Sequence, residues 1–251
     1  MELAHKARAN SGNHLDFSTA HWIDHLRSLS QSLRGNDGGR WCVEMGLFHP
    51  QWDILGIKYP DQKQPKRTPP NVHYIDYPDL LWVLSSLPSN TFDLVFVRFL
   101  ALDRGDIMEQ CWRVCRPQGF VELTELDLTI YGTHIGPLTE NFNTQVKEVI
   151  SLRSRDPALA QHLQDCILCF SPQMYTTHYT SLPLGKWAGR LGIMARDNIH
   201  RVIESFQPAI ERLKKEHKTE QDLETELNIM DDEFEQNHAF VNVHYMSAQK
   251  P

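Results

Sequence analysis

Three carboxylates stand close together in the stretch FVELTELD: Glu122, Glu125 and Asp127. Alternate residues of an extended strand share a face, so Glu125 and Asp127 fall on one side and Glu122 on the other. A carboxylate placed this way can take the proton that a substrate gives up. A solvated strand-end group is the plainer alternative. His134 and His178 are further candidate general bases, because an imidazole titrates close to neutral pH. Arg98 closes the apolar run DLVFV. Its guanidinium stays charged and clamps carboxylates well, but it could equally form an ion pair with Asp103, Asp106 or Glu125. Cys111 with Cys115 and Cys166 with Cys169 have spacings seen among zinc ligands. Both pairs lie in apolar helical patterns, where cysteine is an ordinary core residue. No metal site is expected.

These groups need elements to hold them. Between residues 53 and 126, short apolar runs of strand length alternate with helical patterns. DILGI (53–57), VHYI (72–75), DLVFV (93–97) and FVELTEL (120–126) read as strands, and LLWVL (80–84) and 106–115 as helices. Strands interleaved with helices imply a parallel sheet covered on both faces. Upstream, Trp22, Ile23, Leu26, Leu29 and Leu33 recur at helical spacing and predict a helix from Phe17 to Leu33, with GNDGG (35–39) as a loop. Downstream, helices are expected over 142–152, 157–168, 188–215 (with Pro208 as a break point) and 220–236. MYTTHYTSLPLG (174–185) reads as an extended segment paired with a closing strand, AFVNVHYM (239–246).

The formal charge is −7, which disfavours non-specific nucleic-acid binding, since that needs Lys and Arg to neutralise phosphates. MELAHKARAN lacks the apolar core of a secretory signal, and no run approaches the ~18 apolar residues of a membrane span. Together with five cysteines, an odd number, this leads us to expect a reduced, cytoplasmic setting, with the nucleus also open, and no membrane partner.

Several blocks resemble the class I S-adenosylmethionine-dependent methyltransferase family. GGRWCVEMGLFHPQWDILGIKYP (38–60) is similar to the second half of its glycine motif and second strand. LPSNTFDLVFVRFL (87–100) resembles its entry into the fourth strand, and CWRVCRPQGFVELTELD (111–127) its "RP-x-G" turn and fifth strand. YTSLPLGKWAGRLG (179–192) and HAFVNVHYMSAQKP (238–251) resemble the last two strands of small fungal members. The likeness covers about residues 38–251 in the expected order, and it implies a Rossmann-like methyltransferase fold, a mostly parallel α/β sheet. Residues 16–251 would form one domain behind a flexible N-terminus (1–15), with a helical lid over about 136–235.

The same resemblance implies S-adenosyl-L-methionine as cofactor and a small-molecule or protein methyl acceptor. It assigns the cofactor to Gly38 and Gly39, to the position of Lys58 at the end of the second strand, to Asp79 (or Asp76) after the third, and to Arg98. Asp79 could also cap the helix at 80–84. Lys58 departs from the family, which carries an acid there: ammonium has no acceptor for ribose hydroxyls. A first strand such as "VLDIG" is not evident before Gly38, so the glycine-motif region reads as shortened and the first strand as missing or replaced. A degenerate, non-catalytic protein serving as partner or scaffold is the alternative. WCVEMG (41–46) is a rival first strand, but it lies too close to Asp53 for a parallel crossover.

Overall fold

At the centre of the sheet lies a strand formed by His21–Leu26, β1. The computed structural model describes residues 21–26, 40–58, 67–76, 80–98, 106–152 and 156–251. Among these residues seven strands join in the order β3-β2-β1-β4-β5-β7-β6. They are β2 (Asp53–Lys58), β3 (Val72–Asp76), β4 (Phe92–Arg98), β5 (Cys115–Tyr131), β6 (Met174–Pro183) and β7 (Phe240–Gln249). β1 pairs in parallel with β2 on one side and β4 on the other, and β3 and β5 extend the parallel set. β7 runs antiparallel between β5 and β6. This is a doubly wound, Rossmann-like sheet, parallel through five strands and antiparallel at one end.

The helix expected over Phe17–Leu33 is therefore overturned where it can be judged: His21–Leu26 is a strand, and its flanks lie outside the described residues. The place of the missing first strand is filled from farther upstream than the family blocks suggested. Residues 27–39 then connect β1 to α1 (Arg40–Phe48), so no shortened segment is needed there. The rival strand WCVEMG is part of that helix.

Helices cover both faces. On one face α1 packs through Cys42 and Met45 against Ile54, Val72 and Leu94. On the other, α2 (Leu80–Ser86), α3 (Asp106–Val114) and α5 (Leu159–Leu168) bury Leu84, Ile107, Leu163 and Ile167 against Val95, Val97, Val121, Leu123 and Met246. β5 is longer than the sequence indicated. Its first residues pair with β4 ahead of a register shift, and the RPQG turn, with Gln118 at φ 64°, loops out within the strand.

A second core sits on the far ends of β5 and β7. There α4 (Pro137–Leu152), α6 (Gly189–Lys214) and α7 (Glu220–Asn237) enclose Leu128, Ile130, Val241 and the fully buried Phe234. α6 runs unbroken through Pro208. Proline inside a helix costs about 3 kcal/mol, and Ile203, Phe206 and Ile210, buried on both sides of it, offset that cost. α7 opens on a reciprocal cap in which Thr219 and Asp222 satisfy each other's backbone N–H groups. No helix among the described residues is long and apolar enough to cross a membrane.

Candidate functional site at the strand tips

Five parallel strands bring their carboxyl ends to one rim. The chain leaves β1 for β2 on one side and later reaches β4 on the other, so the strand order reverses between β1 and β4. Such a switch point is where open α/β sheets receive ligands.

Arg98 ends β4 at this point. It is half-buried, with its guanidinium carbon 5.5 Å from the centre of the Phe96 ring. Phe96 in turn stacks on Trp41 in the first turn of α1, with centroids 4.5 Å apart and planes 18° from parallel. Trp41 thus ties the start of α1 to the tip of β4. Gly38 and Gly39 lie outside the described residues, but the helix they lead into is anchored at the rim. Asp79 also lies outside them. Lys58 ends β2 and stands opposite Asp76, the end of β3, so the tip without a carboxylate adjoins one that has it.

From Arg98 a single cross-strand row continues through Thr124 of β5 and Tyr245 of β7 to His178 of β6. The row places Arg98 and His178 on one face but three strands apart, roughly 14 Å at normal strand spacing. His178 is exposed, and its ring stacks on Tyr245 at 4.8 Å.

One residue farther along, on the opposite face, Glu125 is paired with His244, and His244 with Tyr179. Glu125 is wholly buried rather than a solvated strand end, as is nearly all of Asp127. His244 stacks on Tyr179 at 5.5 Å, and its Nε2 is buried with no hydrogen-bond partner among the described residues. Burial pulls the His244 imidazole below its usual range, and the nearby Asp127 partly opposes this. The ring is thereby held neutral, the form that can accept a proton. Asp127 accepts hydrogen bonds from the Thr129 amide (2.9 Å), the Tyr131 hydroxyl (2.6 Å) and Gln161 of α5 (3.0 Å). Burial, with the Asp127 hydrogen bond second, pushes the Tyr131 phenol up to about 12. Glu122 sits on the other face, held above the usual carboxylate range by burial although Ser247 donates to it.

His134 is not brought to this cluster. It is exposed in the turn beyond β5, about 20 Å of strand past Thr124. Cys111 and Cys115 are buried in the first core, and burial drives each thiol up to about 12, where it stays protonated. Cys166 and Cys169 lie on the more open side of α5 and at its end.

Sequence reasoning missed His244 and the Trp41–Phe96 platform. One signal for His244 was available: the dipeptide His-Tyr occurs at 73–74, 178–179 and 244–245, and antiparallel pairing crosses the last two into His–Tyr stacks, one on each face.

No family model and no curated protein matches the chain. Solved structures are similar in fold. Phosphoethanolamine N-methyltransferase 2 of Haemonchus contortus, in complex with S-adenosyl-L-methionine, is 15% identical with a TM-score of 0.49, covering 93% of this chain and 49% of that one. The YcgJ protein of Bacillus subtilis is 16% identical (TM-score 0.44; 93% and 92% covered), and the MccD protein 14% identical (TM-score 0.47; 92% and 90% covered). The chain spans about half the length of the Haemonchus enzyme. At these identities the likeness concerns the fold alone.

Proposed function

We propose that this chain is an S-adenosyl-L-methionine-dependent methyltransferase acting on a small molecule or a protein side chain. The observation that carries the reading is β1 at the centre of the sheet, which creates the ligand-receiving switch point beside β4. The family blocks at 38–60, 87–100 and 111–127 support it from the sequence, and those at 179–192 and 238–251 support a place among the small fungal members.

The residues at the rim fit the cofactor in part. Arg98, backed by Phe96 and Trp41, is suited to its carboxylate. Gly38 and Gly39 would let the backbone approach, and Asp76 or Asp79 would accept from its hydroxyl or amino groups. Lys58 offers no acceptor for the ribose hydroxyl protons. Bound there, the cofactor supplies a methyl group on a sulfonium. The chain's own work is to align the acceptor beside it and keep water out. Over β5 and β7, His244, partly exposed beside the buried Glu125, is the group suited to take the acceptor's proton.

The partner-or-scaffold reading rested chiefly on an absent first strand, and with β1 in place Lys58 is its remaining support. Calorimetric titration with S-adenosylmethionine and S-adenosylhomocysteine tests the assignment. Binding heat and a thermal shift are expected, and neither appearing at about 1 mM ligand, a free energy near −4 kcal/mol, rejects it.

A further inference from the structure

Among the described residues β6 forms one edge of the sheet, and it lacks the devices that keep edge strands from pairing. Such strands are commonly short, charged, bulged or covered. Met174–Pro183 is ten residues long, contains no Lys, Arg, Asp or Glu, and has its one proline at the last position. Its ladder with β7 runs in continuous register from Met174 to Pro183. Every residue from Met174 to Ser181 is exposed, Tyr179 by 61% and Tyr175 by 39%. The chain as a whole carries a charge of −7, so two copies repel each other across much of their surfaces. A neutral strip is where they can meet without that penalty.

We propose that β6 pairs with β6 of a second copy, antiparallel about a two-fold axis at Thr177, joining two seven-stranded sheets into one. The sequence selects this register. With the axis at Thr177, Tyr175 lies opposite Tyr179 of the second copy, and symmetry repeats that pair. Thr177 meets its own equivalent on the same face, and Thr176 meets His178 of the second copy on the other. Aromatic pairs and Thr–Thr pairs are favourable cross-strand neighbours. Moving the axis to His178 sets the two imidazoles against each other and separates the tyrosines. A two-fold contact needs only one self-complementary patch, and MYTTHYT supplies it. The paired edge, Met174–Thr180 of each copy and roughly 23 Å of strand, is narrower than a standard interface of about 800 Å² per partner, so the dimer is of micromolar rather than nanomolar strength.

Cysteine crosslinking and sedimentation equilibrium on the full chain test the pairing. At the axis the two Thr177 Cα atoms lie about 4.5–5.5 Å apart, within disulfide reach. The two Ser181 atoms are separated by some 26 Å. Under mild oxidation Thr177→Cys is expected to give an intermolecular disulfide above the wild-type background set by the exposed Cys169, and Ser181→Cys is not. Wild type is expected to be dimeric at about 100 µM. Thr177→Lys, which places two ammonium groups face to face, is expected to be monomeric with an unchanged circular dichroism spectrum. A monomeric wild type at that concentration, equal crosslinking of the two cysteine variants, or a folded Thr177→Lys that dimerises as wild type does would each overturn the proposal.

Discussion

Removing the carboxylate of Glu233 should loosen the helical cap over the ends of β5 and β7. Glu233 lies on α7 but satisfies the start of α4, accepting from the Leu138 amide (3.0 Å), the Thr139 amide (2.9 Å) and the Thr139 hydroxyl (2.7 Å). Thr139 is 2% exposed, so water cannot replace its partner. An orphaned buried donor costs about 1–3 kcal/mol, and the lost anion at a helix N-terminus adds about 0.5. Glu233→Ala should therefore cost about 3 kcal/mol, lowering the melting temperature of a chain this size by about 6–12 °C. Gly136 offers an independent approach, since a Cβ there would overlap the Glu233 carboxyl group. The flexible side chain can swing aside, but only by leaving α4 uncapped. Gly136→Ala and Glu233→Ala thus remove the same interaction, and the double variant should melt close to the worse single one. Circular dichroism melts of all four proteins decide it. Additive losses, or a Glu233→Ala shift under about 2 °C, would refute the reasoning.

Other expectations concern the rim and the core. If Arg98 holds the cofactor carboxylate, Arg98→Gln should weaken S-adenosylmethionine binding by about 10–100-fold in calorimetry, the cost of a charged hydrogen bond, and unchanged affinity removes it from the site. In the native protein Ellman's reagent should label Cys169 promptly, whereas Cys111 and Cys115 should wait for denaturant, because burial holds both thiols at about 12. Peptide mapping showing either of them modified early contradicts this. Tyr131 is raised in the folded state from 10.0 to about 12, so its stabilising contribution is full below pH 10 and fades as pH rises toward 12. Tyr131→Phe should flatten that part of the melting-temperature profile, and an identical slope in both proteins speaks against it.

Much of the fold was legible because its elements carry their own signals. The runs 53–57, 72–75 and 93–97 became β2, β3 and β4 almost to the residue, since strands buried between helices must be apolar throughout. β1 was misread for the converse reason. In HWIDHL three of six positions are His or Asp, and Trp22, Ile23 and Leu26 fit a helical stripe continuing to Leu29 and Leu33. What makes it a strand is pairing with β2 and β4, hydrogen bonds to residues some thirty and seventy positions away that no local window contains. The site divides in the same way. Arg98 and Glu125 could be picked out as candidates because strand ends and alternation are local. His244 reaches Glu125, and Trp41 reaches Phe96, only through the fold.

The lysine at the tip of β2 raises the sharpest question about the cofactor. An acid belongs there if the ribose hydroxyls are to be held, and Lys58 has donors only. Its ladder neighbour is Asp76, and adjacent strands are separated by about 4.8 Å. An acidic residue thus stands at the neighbouring strand tip, one strand over from the position where the methyltransferases that these blocks resemble carry an acid. If Asp76 has taken that task, Asp76→Asn should weaken S-adenosylmethionine binding about tenfold or more, because a carboxylate accepts from both hydroxyls and an amide offers one acceptor. Lys58→Met should leave binding within about twofold. The reverse outcome, loss with Lys58→Met and none with Asp76→Asn, would mean that the ammonium itself meets the ligand. A group that only donates must then face an acceptor, so the contact would run from the ammonium to an oxygen or nitrogen of the ligand.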